Sequence, residues 1–167
     1  MSPEIKEKFT ELIANYQQLT EHYRSIAQFG DEEALLIDQG DMESLLDILR
    51  EKEEIMVDVT RCQEAIGKSQ DFIIRFYQLE SFSLSQLMDL IERDSRDLVV
   101  RLKHEIKQLI KQLEILEQQE RIHESMLRSY ADQVNKIQGE RKNSAGKKAY
   151  EKMIKIKDED SDIDIKR

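Results

Sequence analysis

The sequence predicts an all-α protein: an elongated antiparallel helical hairpin or three-helix coiled-coil bundle, with a long final helix and a flexible C-terminal tail. Two observations carry the prediction. Charged residues make up 37% of the 167-residue chain and hydrophobic ones 39%, with one Pro, five Gly and no Trp. That mix is poor in strand and turn formers, and it leaves too little apolar surface for a thick core, so narrow seams between helices fit best. Along the chain, apolar residues also recur at alternating steps of four and three, the spacing of a helix-to-helix seam.

The first helix is expected over about 3–38. Ser2 serves as N-cap, Pro3 takes the first helical position and Glu4 puts an acid in the first turn. Ile5, Phe9, Leu12, Tyr16, Leu19, Tyr23 and Ile26 form its seam. The next position in phase is Gly30, expected to continue the helix as a small seam residue or a kink. Gly40-Asp41 marks the clearest boundary, with Gly as a left-handed C-cap and Asp as the next N-cap, so two helices should fold back on each other there.

The second helix, about 41–78, carries Met42, Leu45, Leu49, Met56, Val59 and Ile66 on one face, widened by Leu46, Ile48, Ile55 and Cys62. Phe72, Phe76, Tyr77 and Phe82 should plug the end of the bundle around a turn. Ser83 and Gln86 have capping-box spacing for a last helix, about 84–138. The polar run Glu92 to Asp97 could kink or break it near Ser95. From Leu102 through Ile106, Leu109, Leu113, Leu116, Glu120, His123, Leu127, Tyr130 and Val134 to Ile137 the fours and threes alternate without a miss. Gly139 is expected to end this helix. Residues 3–138 thus form the bundle, and 139–167 a flexible tail with a short amphipathic segment at about 147–157.

The last helix would span about 80 Å if continuous and the first about 50 Å, at 1.5 Å per residue. One end of the last helix should therefore lack an internal partner. Met126, Leu127, Tyr130, Val134 and Ile137 lie there, and exposed apolar surface of that kind marks an interface. In the tail, Tyr150, Met153 and Ile154 fall at i, i+3 and i+4 among lysines. That segment can dock as a helix in a partner's groove, fold back on its own bundle or, less favoured because acids follow it, lie on a membrane surface.

The formal net charge is −9, which argues against general nucleic-acid binding. Glu140 to Lys157 is locally basic, with seven bases against two acids, and Asp158 to Asp164 is acidic, with five acids and no base. The single Cys62 allows no intrachain disulfide. The N-terminus has no signal-peptide pattern, and no apolar run nears the roughly 20 residues of a membrane span. A soluble, cytoplasmic protein without stable membrane insertion is expected.

Catalysis needs convergent polar groups, and none is legible: the glycines are scattered and the three histidines lie far apart in sequence. Glu120-x-x-His123 has the spacing of di-iron bundle ligands, but such sites need a second Glu-x-x-His, which the sequence lacks. The pair reads as a polar layer fixing register or as an exposed stretch. Cys62, between Val59 and Ile66, reads as a buried small hydrophobe. The expectation is no enzyme, no cofactor and no metal.

The stretch Gly40-Asp41-Met42-Glu43-Ser44-Leu45-Leu46-Asp47-Ile48-Leu49-Arg50-Glu51-Lys52-Glu53 resembles the opening of the second helix in FlgN-type flagellar export chaperones. With chain length, a long first helix and a final heptad helix, the resemblance covers roughly residues 5–156. It implies a cytoplasmic chaperone that binds the C-terminal helical region of hook–filament junction proteins and delivers them to the type III export gate. The other reading is a structural coiled-coil adaptor, in which the same seam pairs with a second copy of the chain.

Overall fold

A computed structural model describes the backbone of residues 1–165 and their side chains, except those of residue 145 and residues 154–165. The protein is all-α: α1 (Pro3–Ala27), α2 (Gly30–Gln39), α3 (Met42–Tyr77), α4 (Leu84–Leu90), a short 3-10 turn (Arg93–Ser95) and α5 (Arg96–Ile165). It divides into two units, Met1–Glu124 and Ser125–Arg167.

The local signals place the helix ends. Ser2 Oγ accepts from the Ile5 amide, and Pro3 opens α1. Gly40 adopts φ 69°, ψ 20°, and its N–H and that of Asp41 reach back to the carbonyls of Ile37 and Leu36. The left-handed angle suits glycine, which has no Cβ to clash. Asp41 then accepts from the Ser44 amide at 3.1 Å and from the Ser44 hydroxyl at 2.8 Å, and these bonds hold its carboxyl below the usual range. Ser83 Oγ accepts from the Gln86 amide to open α4.

Within the first unit, three long helices run up, down and up. Tyr16 receives a hydrogen bond from Gln70 and Tyr23 one from Gln63, so sequence numbers fall on α3 as they rise on α1. Gln17 bonds to Glu105, and the carbonyl of Ala27 to Gln119, so α5 runs parallel to α1. The core they share comprises Ile5, Phe9, Leu12, Ile13, Leu19 and Ile26 of α1, Val59, Cys62, Ile66 and Ile73 of α3, and Leu98, Val99, Leu102, Leu109 and Leu116 of α5. Leu87 and Ile91 close one end. Of the ring cluster there, Phe72, Tyr77 and Phe82 pack on the core, whereas Phe76 is about half exposed.

Of four expectations, two are met by the kink or break that they allowed and two are corrected. The helix over 3–38 is divided at Gln28-Phe29, although both residues keep helical angles, so the chain kinks without reversing. The tertiary reason lies at Gly30: a Cβ there would come within 2.6 Å of the Gln119 amide, and that amide donates to the Ala27 carbonyl at the break. The helix over 84–138 is divided as well, between Ile91 and Ser95, where the polar run allowed a kink or break. Ile91 and Glu92 are extended (ψ 139° and 145°), and Glu92 pairs at 2.9 Å with the terminal ammonium of Met1.

Third, Gly139 does not end the last helix, and α5 continues to Ile165. One Gly among Gln, Glu, Arg and Lys costs only about 1 kcal/mol of helix propensity. The flexible tail expected over 139–167 is therefore helical as far as the structure describes it. Fourth, the seams shift phase. On α3 the buried row is Leu45, Ile48, Val59, Cys62, Ile66, Ser69 and Ile73, while Leu49 and Met56 turn outward. On α5, Gln112 is buried and Leu113 exposed. Each helix faces two neighbours at once, so the inward line runs through only one of two adjacent apolar rows.

α3 ends on Gln78 at φ 55°, the one described non-glycine residue with positive φ. An L side chain in that region costs roughly 1–2 kcal/mol, and Gln78 is exposed. Gln78→Gly is expected to stabilise the fold by about 1 kcal/mol, read as an upward shift of the urea midpoint; no shift would show that the cap geometry is not maintained in solution.

Candidate functional site

Two features stand out, one in each unit. In the second unit, the helix beyond Glu124 presents Leu127 and Ile137 at 37% and 51% exposure, with Met126, Tyr130 and Val134 half-buried. At roughly 100° per residue these five fall within an arc of roughly 100°, a continuous apolar stripe. Tyr150 and Met153, at 67% and 69% exposure, lie on other faces of the same helix, roughly 180° and 120° around from the middle of the stripe. The helix therefore does not merge the two sets of expected partner-binding residues into one surface. The side chain of Ile154, the last of that set, lies outside the described residues, as do those of the acidic run Asp158 to Asp164.

In the first unit, α2, α3 and α5 each carry a charged or polar residue at one level. Glu33 of α2 is 4% exposed and His123 of α5 is 6% exposed. Lys52 of α3 places its ammonium 2.8 Å from Glu33 Oε1 and 3.0 Å from Glu120 Oε1. His123 Nδ1 lies 3.1 Å from Glu33 Oε2. Neither His123 Nδ1 nor Glu33 Oε1 has a partner in hydrogen-bonding geometry, despite these short approaches. Burial alone would lower the Lys52 pKa, but the two carboxylates beside it raise it above the ordinary lysine value.

The expected pair separates here: His123 is buried, whereas the Glu120 side chain is 59% exposed and closes the layer from its rim. Glu33 and Lys52 were missed in the sequence, although a signal exists. Ile26, Gly30, Glu33 and Ile37 continue the α1 steps of four and three, and Ile48, Lys52, Ile55 and Val59 do the same on α3. A charged residue in phase with a seam is a candidate for burial, although Glu33 sits in the acidic run Asp31-Glu32-Glu33 and Lys52 in the run Glu51 to Glu54, which read as solvated faces.

Beside this layer opens a groove of about 340 Å³, lined by Tyr23, Ile26, Met56, Leu113 and Leu116, with Lys52, Glu117 and Glu120 at its edge. It accounts for the outward turn of Met56 and Leu113, and its size suits one or two apolar side chains of a visitor. Cys62 is buried, and burial pushes its thiol pKa up, so it has the character of a packing residue. Among the described residues no helix is long and apolar enough to cross a membrane. Comparison with protein-family models, with curated proteins and with solved structures found no match to this chain.

Proposed function

We propose that this protein is a cytoplasmic export chaperone that captures an amphipathic helix of its client. The clients would be flagellar hook–filament junction proteins, bound through their C-terminal helical region and handed to the type III export apparatus. One observation carries the capture role: the stripe from Met126 to Ile137, apolar, in register over three turns of helix and only partly covered, with Leu127 and Ile137 exposed. A helix bearing such a stripe gains stability when a second amphipathic helix covers it, through the same burial that holds soluble bundles together. The likeness of residues 40–53 to FlgN-type chaperones supplies the client class. A stripe of this kind would keep an aggregation-prone client helix covered until release.

The test is co-elution in size-exclusion chromatography with junction-type flagellar proteins, using wild type and Leu127→Asp. Leu127 is already exposed, so the change should alter stability by no more than about 0.5 kcal/mol. A charge placed within the contact should weaken client binding by about 2 kcal/mol or more, roughly 30-fold. Failure of every flagellar axial protein to co-elute would overturn the client assignment. Loss of folding in free Leu127→Asp, or a wild-type mass of two chains that the change halves, would instead identify the stripe as a contact between copies in a structural adaptor.

A further inference from the structure

We propose that Glu33, Glu120 and His123 form a binding site for one divalent transition-metal ion of the zinc class. The inference rests on the buried polar layer and is independent of the client-binding stripe. One donor atom from each of the three residues lies within 4.8 Å of the others. Glu120 and His123 stand at i and i+3 on one face of α5, and Glu33 reaches them from α2 across the bundle.

One of the donors is an orphan. His123 Nδ1 belongs to a residue more than nine-tenths buried and has no hydrogen-bond partner, although Glu33 Oε2 lies 3.1 Å away. Buried polar atoms are ordinarily satisfied, so this one calls for a missing partner. Glu33 Oε1 is already held by Lys52, but Nδ1 and Oε2 are two Lewis bases facing each other, and a cation between them satisfies both.

The charge balance points the same way. Glu33 and Glu120 bring two negative charges, and the Lys52 ammonium between them returns one. A divalent ion neutralises both carboxylates. Lys52 stands at the edge of the apolar groove on a flexible stem, 13% exposed, and can swing out as the ion enters. Two carboxylate oxygens and one imidazole nitrogen are a borderline set that suits zinc or cobalt. Calcium asks for six to eight oxygens, which these residues do not supply. Zinc bonds of about 2.0–2.2 Å require the donors to draw together slightly and leave a fourth position for water. The bound ion would tie α2, just past the kink, to α5.

The experiment is titration of the full chain with Zn²⁺ and with Co²⁺, by calorimetry and by the visible absorption of bound cobalt. One ion per chain is expected, with a higher unfolding temperature in zinc than in chelator. His123→Gln and Glu33→Gln should each weaken binding by more than about 100-fold, beyond what loss of a mere supporting group costs. Cys62→Ser, His22→Gln and His104→Gln should bind as wild type does. If either buried variant fails to fold by circular dichroism, Glu120→Gln, on the exposed rim, carries the same test. No saturable binding of either ion, binding retained in the folded Glu variants, or binding lost in Cys62→Ser would overturn the proposal.

Discussion

Phe9→Ala is expected to remove about 3–5 kcal/mol of folding free energy. Phe9 is fully enclosed, one of eight large side chains under 2% exposed among the described residues. Six others of that set, Ile5, Leu12, Ile73, Leu87, Val99 and Leu102, cluster at the same end of the first unit, where the start of α1 meets the end of α3, α4 and the start of α5. An alanine there removes a ring's worth of buried apolar surface and leaves a cavity that helices anchored on both sides close only in part. Against a total stability of about 5–15 kcal/mol, the loss is a large fraction. It corresponds to a fall of roughly 6–20 °C in unfolding temperature for a chain of this size. Phe76→Ala is the matched control: that ring is 48% exposed, stacks on Phe72 and meets Tyr77 edge to face, so its loss should cost about 1 kcal/mol. Urea unfolding followed by circular dichroism measures both, and equal effects would show that the core is not centred where the structure places it.

Lys52→Met, studied in chelator, should cost about 3–5 kcal/mol even though it makes the seam more apolar. The reason is what it leaves behind. Glu33 keeps a carboxylate at 4% exposure, and its nearest cation is gone. Glu120 loses the same partner at little cost, since its side chain stays more than half in water. Combining Lys52→Met with Glu33→Met should recover most of the loss, because replacing a buried ion pair by apolar groups of similar volume is often neutral or stabilising. A double variant no more stable than Lys52→Met would mean the damage arises from packing and not from an unpaired charge. The pH dependence has a definite sign. The Lys52 pKa is raised in the folded chain, so the pair's contribution is fully present below the ordinary lysine value of 10.5 and lost as pH rises through the raised one. The gap between wild type and Lys52→Met should hold across neutral pH and narrow only on the strongly alkaline side.

The sequence by itself determined whatever depends on a residue and its near neighbours. The Ser2-Pro3 start, the Gly40-Asp41 reversal and the Ser83 cap are each settled by one side chain and a few backbone angles, and all three stand in the structure as read. The seam of α1 was legible for a similar reason, because its apolar residues follow a single phase. Tertiary structure decided the rest. At the kink at Gln28-Phe29, the freed Ala27 carbonyl is capped by Gln119, 92 positions away. The choice between Leu113 and Gln112, or between Leu49 and Ile48, depends on where two neighbouring helices lie, and periodicity cannot weigh two neighbours at once. Glu33, Lys52 and His123 look like ordinary surface charges in their own segments. Only the antiparallel return of α3 and the parallel return of α5 bring them to one level, where burial turns three unremarkable residues into a polar layer with an unsatisfied imidazole nitrogen.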